Sequence, residues 1–333
     1  MILLVSPAAP GSANGNGVTA DRWARVLRAL GHDVVCADRY REGDYAALVA
    51  LHARKSADAI RAFRSAHPDA PVVLALTGTD LYPDLASAGV DPDVLRMAAR
   101  LVVLQPKGLQ QLDSDLRDLG RVIVQSVPVI PPRPIRDDVF EVALLAHLRP
   151  VKDPLLAAAA TRRLPAESQI LITHVGSDLD PHLAEQARVE AAQNPRYDWL
   201  GELPRPDALN VLARSRLLVL TSRSEGGANV VSEALGAGVP VLSTAIPGSQ
   251  GLLGDDYPGY FDVGDAAGLA DLLRAVEEDR DGLYSELVER CEKLRDMVDP
   301  RRERAAWASL LGELGLSDSR KSRSAEPAAD GSN

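Results

Sequence analysis

The chain is predicted to be an α/β protein built from two doubly wound, mostly parallel sheets. Three observations predict it. Apolar runs of strand length alternate with helical patterns along the chain, and 333 residues suffice for two cores. A proline-rich stretch, 127–134, then interrupts that rhythm before it restarts, as an interdomain linker does.

The elements follow in order. Met1 to Pro7 is too short for a signal peptide and lacks a charged leading region, so 2–5 reads as a first buried strand. Further strands are expected at 34–37, 47–51, 72–76, 101–104 and 122–124, each followed by a loop and most by a helix. After the linker the pattern resumes with 142–146, 170–175, 197–200, 217–220 and 239–242. Helical segments fill 266–315, and the polar, small-residue-rich 317–333 is expected to be disordered. The expected organisation is an N-terminal domain over 1–130 and a second domain over 131–300. A closing helix follows over 300–316, with the first domain as its candidate packing partner. The two sheets are expected to face a central cleft, with ligands beyond the carboxyl ends of the strands.

Composition narrows the function. A net charge of -10 argues against nucleic acid as the main partner. No apolar stretch approaches membrane-spanning length, and aromatics at 4% leave no aromatic-rich lipid face. Cys36 and Cys291 form neither a CxxC nor a metal spacing, which points to a reducing cytoplasm. Three D-x-D triplets, at 91–93, 113–115 and 178–180, precede helices and are better explained as caps, so no metal or other cofactor is required. The oligomeric state is unassigned.

The most informative segment is 221–240. Glu225 and Glu233 flank a Gly226-Gly227 turn between an apolar run and a helical pattern starting near Asn229. Glycines let backbone N–H groups approach a ligand, and a helix N-terminus favours phosphate. Gly226, Gly227, Ala228 and Asn229 are therefore assigned to a diphosphate and Val230 to the donor site beside them, with the two carboxylates accepting from sugar hydroxyls. The plainer reading makes Glu225 a helix-dipole partner and Glu233 a solvated helix residue. Arg149 and Lys152, three apart in a strand-to-helix loop, can meet one diphosphate as fork and point charge. A departing nucleoside diphosphate needs that charge.

Other loops follow strands. The 10–17 loop precedes a helix expected to be capped by Thr19. It is not GxGxxG, which argues against a nicotinamide cofactor. The 51–56 loop can deliver His52, Arg54 and Lys55, and the 77–82 loop Thr77, Thr79 and Asp80. His52 has two readings, general base or packing residue, and Asp80 two, ligand or turn cap. Gln105 and Lys107, after the fifth strand, form a candidate rim contact.

Two Rossmann-like halves, the Arg149 and Lys152 pair, and Glu225 with Glu233 in an E-x7-E arrangement resemble the GT-B nucleotide-sugar glycosyltransferases of the family 4 type. The resemblance implies that Glu225 lies by the donor sugar, Glu233 contacts the ribose, and the glycine loop with the cations meets the diphosphate. A narrower resemblance rests on Asn-Gly-Asn-Gly-Val-Thr-Ala, Leu-His-Ala-Arg-Lys-Ser-Ala, Leu-Thr-Gly-Thr-Asp-Leu-Tyr, His-Leu-Arg-Pro-Val-Lys-Asp-Pro and Trp-Leu-Gly-Glu-Leu-Pro. These strings look like the selenosugar synthase subfamily of selenoneine biosynthesis. That implies a UDP-sugar donor, typically UDP-N-acetylglucosamine, selenophosphate as acceptor, and release of UDP and phosphate.

On that basis catalysis is expected from Arg149, Lys152, Glu225 and His52. Donor contacts are expected from Gly15, Gly17, Gly176, Leu203, Gly226 to Val230 and Glu233. The acceptor set is Asn16, Thr19, Arg54, Lys55, Thr77, Thr79 and Asp80. Selenium in selenophosphate is already nucleophilic and needs little base assistance, whereas a hydroxyl acceptor would call on His52 or Asp80. Two rivals stay open: a glycosyltransferase with a conventional hydroxyl acceptor, and a two-lobed binding protein that releases no UDP.

Overall fold

The computed structural model describes residues 1–8 and 15–316. Most of the glycine-rich loop over 10–14 and the 317–333 tail lie outside the described residues. The chain divides into two units. The first comprises Met1–Leu104, Leu109–Ile123 and the chain from Arg301; the second comprises Gln105–Gly108 and Val124–Pro300.

In the first unit six strands run β1 (Ile2–Val5), β2 (Val34–Ala37), β3 (Ala47–Leu51), β4 (Val72–Leu76), β5 (Arg100–Val103) and β6 (Gly120–Val122). All pair parallel, in the order β2-β1-β3-β4-β5-β6. Helices α1 (Gly15–Ala29), α2 (Ala57–Ala66) and α3 (Pro92–Arg96) connect them. Alternate residues of each strand point to opposite faces. Leu3, Leu48, Leu74 and Leu101 meet Ile60 and Phe63 of α2, while Ile2, Leu4, Val49 and Val73 meet Trp23 and Leu27 of α1.

The second unit carries β7 (Phe140–Leu145), α4 (Leu156–Thr161), β8 (Ile170–Val175), α5 (Pro181–Gln193), β9 (Tyr197–Trp199), α6 (Arg205–Arg214), β10 (Leu217–Leu220) and α7 (Asn229–Ala237). It continues with β11 (Val241–Thr244), α8 (Pro247–Leu253), β12 (Tyr260–Phe261), α9 (Ala266–Glu277) and α10 (Leu283–Leu294). Its parallel sheet is ordered β12-β11-β10-β7-β8-β9. The final helix, α11 (Pro300–Glu313), completes the face of the first sheet that α1 covers. Trp307 packs edge-on against Trp23 at 4.9 Å between ring centroids, and the buried Glu303 accepts from the Trp23 indole N–H at 2.8 Å.

The expected strands are present with small shifts at their ends. The run expected at 239–242 starts at Val241 instead, because Pro240 has no N–H to give a ladder. β12 is a two-residue strand absent from the sequence reading. Thr19 does not cap α1: the helix begins at Gly15, and the buried Thr19 hydroxyl donates back to Gly15 O at 2.8 Å. Gly15, Asn16 and Gly17 thus occupy the first turn of α1 rather than a loop. Asp91 and Asp180 are caps, accepting from the first-turn N–H groups of α3 and α5 respectively.

Candidate active site

In the second unit, strand order reverses between β7 and β10, since β8 and β9 lie to one side and β11 and β12 to the other. The loops after the two central strands lie at that reversal, the usual ligand position in an open parallel sheet. Arg149 and Lys152 follow β7, and Glu225 with its glycines follows β10. The two loops are knitted together. Thr221 Oγ1 donates to Lys152 O at 2.8 Å, Arg223 N donates to Val151 O at 2.8 Å, and the Arg223 guanidinium pairs with Asp153 at 2.6 Å.

Pro150–Lys152 forms a single 3₁₀ turn, with Arg149 extended before it and Asp153 left-handed after it. That turn points the Lys152 ammonium at Glu225, with which it forms a close ion pair. The same carboxylate oxygen accepts from Ser222 Oγ at 2.7 Å. Glu225 is therefore held as an oriented carboxylate, with its side chain 13% exposed. Arg149 is exposed, and its side chain has no ion pair among the described residues.

Helix α7 starts with Ala228 at its N-cap, whose methyl side chain cannot cap a backbone N–H. Asn229 and Val230 form the first turn, half-buried. One turn on, Glu233 is buried and paired with the first residue of α6, Arg205, at 2.6 Å. Glu233 is thus not a solvated helix residue. Arg205 itself was missed in the sequence, where nothing local marks it; Leu203 lies two residues before it, half-buried in the β9–α6 loop.

Gly176 serves packing. A Cβ there would lie 1.8 Å from Ala146 O, so only glycine lets the loop after β8 lie against the loop carrying Arg149. The same Ala146 carbonyl accepts from His174 Nε2 at 2.7 Å, while His174 Nδ1 accepts from the Tyr197 hydroxyl at 2.7 Å. Burial brings the His174 pKa down to about 4, so the ring is neutral near pH 7.

In the first unit the reversal falls between β1 and β3. His52 follows β3 directly. It is buried and sits at φ +69°, a left-handed conformation costing on the order of 1 kcal/mol in a residue with a Cβ. Its Nδ1 accepts from Lys55 N at 3.4 Å, so the proton resides on Nε2, which donates to Thr79 Oγ1 at 3.1 Å. Burial lowers the His52 pKa, with Asp80 opposing and Lys55 and Arg54 reinforcing. The ring thus meets Thr79 through Nε2, while the Asp80 carboxylate lies 3.8 Å from Nδ1.

Asp80 is corrected from ligand to loop cap. Fully buried, it accepts from Ala53 N at 2.8 Å and from Thr77 N and Gly78 N at 2.9 Å each. Those three bonds fix the 51–56 and 77–82 loops to each other. Lys55 and Thr79 are exposed and Thr77 half-buried, whereas the exposed Arg54 spends one guanidinium N–H on Ala88 O at 3.1 Å. The Thr19 hydroxyl is buried and donates within its own helix.

Two such sheets define the GT-B fold. It is shared at a TM-score of 0.73 with Anabaena HepE in complex with UDP and glucose, at 16% identity over 94% of this chain and 99% of that one. A sucrose-phosphate synthase of Thermosynechococcus elongatus is similar at a TM-score of 0.74, 16% identity, and coverage of 94% and 98%. Residues 130–295, from before β7 to the end of α10, match the family of glycosyl transferases group 1. A curated relative, glycosyltransferase 1 domain-containing protein 1 of Xenopus tropicalis, is 32% identical over 111 residues. That match spans about a third of either protein, 33% of this chain and 32% of the relative.

Proposed function

We propose that this protein transfers a sugar from a UDP-sugar donor, with UDP-N-acetylglucosamine as the donor and selenophosphate as the acceptor. The observation that carries the transferase reading is the meeting of Lys152 and Glu225 at the β7/β10 reversal, beside the start of α7. An ammonium and a carboxylate held side by side suit a nucleotide sugar. The cation meets the diphosphate and the carboxylate accepts from ring hydroxyls. The group 1 domain and the UDP seen on HepE support it.

In this reading Arg149, Lys152 and the α7 dipole stabilise charge on the departing UDP, while Glu225 orients the sugar and Glu233 the ribose. Selenium attacks the anomeric carbon, the C–Se bond forms, and the bond to the diphosphate oxygen breaks, its electron pair leaving with UDP. Water then cleaves the P–Se bond and phosphate departs. The selenium assignment rests on the amino-terminal strings, with exposed Lys55 and the Thr77 and Thr79 hydroxyls as anion partners.

Incubation with UDP-N-acetylglucosamine and selenophosphate should yield UDP and a selenosugar by mass spectrometry. Turnover with hydroxyl acceptors alone would remove selenium and keep the transferase; UDP-sugar binding without UDP release for any acceptor would make this a binding protein. Arg149→Ala or Lys152→Ala should each lower kcat/KM by about 100-fold or more. Unchanged kinetics would take either residue out of the diphosphate role.

A further inference from the structure

Within the second unit, the short Gln105–Gly108 segment sends one fully buried side chain to the glycine loop. Gln105 Nε2 donates to Gly226 O at 3.2 Å, and Gln105 Oε1 accepts from Lys107 N at 2.7 Å. Both ends of the carboxamide are engaged, so its orientation is fixed by the network. Helix α8 is shaped around the same group. A Cβ at Gly251 would lie 1.8 Å from Gln105 Oε1, and one at Gly248 would lie 2.2 Å from Glu225 O. Just past α8, Asp255 pairs with the Lys107 ammonium at 2.6 Å, tying the segment down a second time.

The peptide between Gly226 and Gly227 is planar, so holding the Gly226 carbonyl sets the direction of the Gly227 N–H as well. Glycine on both sides gives that peptide more intrinsic freedom to turn than any other residue pair. A phosphate site made of backbone N–H groups needs those groups fixed before the ligand arrives. We propose that Gln105 is a positioning residue that sets the Gly226–Gly227 peptide, and that Gly248 and Gly251 are there to admit the loop and the carboxamide. This rests on the assignment of the glycine loop to a nucleoside diphosphate. Gln105 makes no contact with reacting atoms in this scheme; it acts through Gly226.

The probe is UDP, titrated calorimetrically into the full chain. Gln105→Met keeps the length of the side chain and removes both hydrogen bonds. It is expected to melt within a few degrees of the wild type while binding UDP about 5- to 10-fold more weakly. The KM for the UDP-sugar should rise and that for the acceptor should stay. Gly251→Ala approaches the same group from α8 and should weaken UDP similarly, whereas adding it to Gln105→Ala should weaken UDP no further, because its methyl then enters vacated space. Wild-type affinity in Gln105→Met, or a Gly251→Ala effect that adds in full to that of Gln105→Ala, overturns the role. A wild-type protein that does not bind UDP overturns the diphosphate reading and this inference with it.

Discussion

His174 shows how one residue with no contact to a ligand can shape a site. It is fully buried, and its Nε2–H holds the Ala146 carbonyl three residues before Arg149. Its pKa falls from 6.5 to about 4 on folding, so between those values the unfolded chain binds the extra proton and the folded one does not. Stability must therefore drop as the pH falls from about 6.5 towards 4, by roughly 3 kcal/mol from this group. Urea unfolding at pH 7 and pH 4.5 should show that loss in the wild type, and His174→Gln should lack about that much of it; equal losses in both would refute the assignment. Residue identities at the site were legible where spacing carries them, as for Glu225 and Glu233 around a glycine turn. Arg205 was not, because its partner is reached only when α6 and α7 pack. The capping role of Asp80 was one of two open readings, decided by three backbone N–H groups that converge only in the folded loops.

Among the elements, loops do the work and strands hold them. The Gly176 loop lies so close to Ala146 that Gly176→Ala must push backbone from backbone. Such overpacking costs about 1–3 kcal/mol, and here the displaced segment leads to Arg149. We expect a lower denaturation midpoint together with weaker UDP binding; loss of stability with unchanged UDP affinity would separate the packing from the site. Buried strands such as β1, β3 and β4 were readable because both faces are covered and every residue is apolar. β12 was not, since two residues carry no period. The start of α1 was misjudged for a physical reason: glycines weaken a helix without forbidding it, and Thr19 found its partner inside the helix.

Across the molecule, His52, Arg54 and Lys55 in the first sheet and Arg149, Lys152 and Glu225 in the second follow strands where the strand order reverses, although the two orders differ. The chain then returns to its first unit through α11. Glu303 accepts from Trp23 and Arg22 there, and Glu313 pairs with Arg100 and Arg121, which hold its carboxyl down to about 2. Trp307 is fully buried, so Trp307→Ala should cost about 3–5 kcal/mol, lowering the melting temperature of the first unit. A change under 1 kcal/mol would show that α11 is dispensable to that core.

The return of α11 also sets an order of events during synthesis. When residue 123 leaves the ribosome, the face of Trp23 that Trp307 will cover is still bare, and it stays bare while about 180 further residues are made. The second unit, whose chain is continuous from Val124 to Pro300, can close its sheet before the first unit receives its last helix. The part of the molecule translated first is thus the part finished last, and a chain stalled before Arg301 would leave the Trp23 indole without the ring that packs on it.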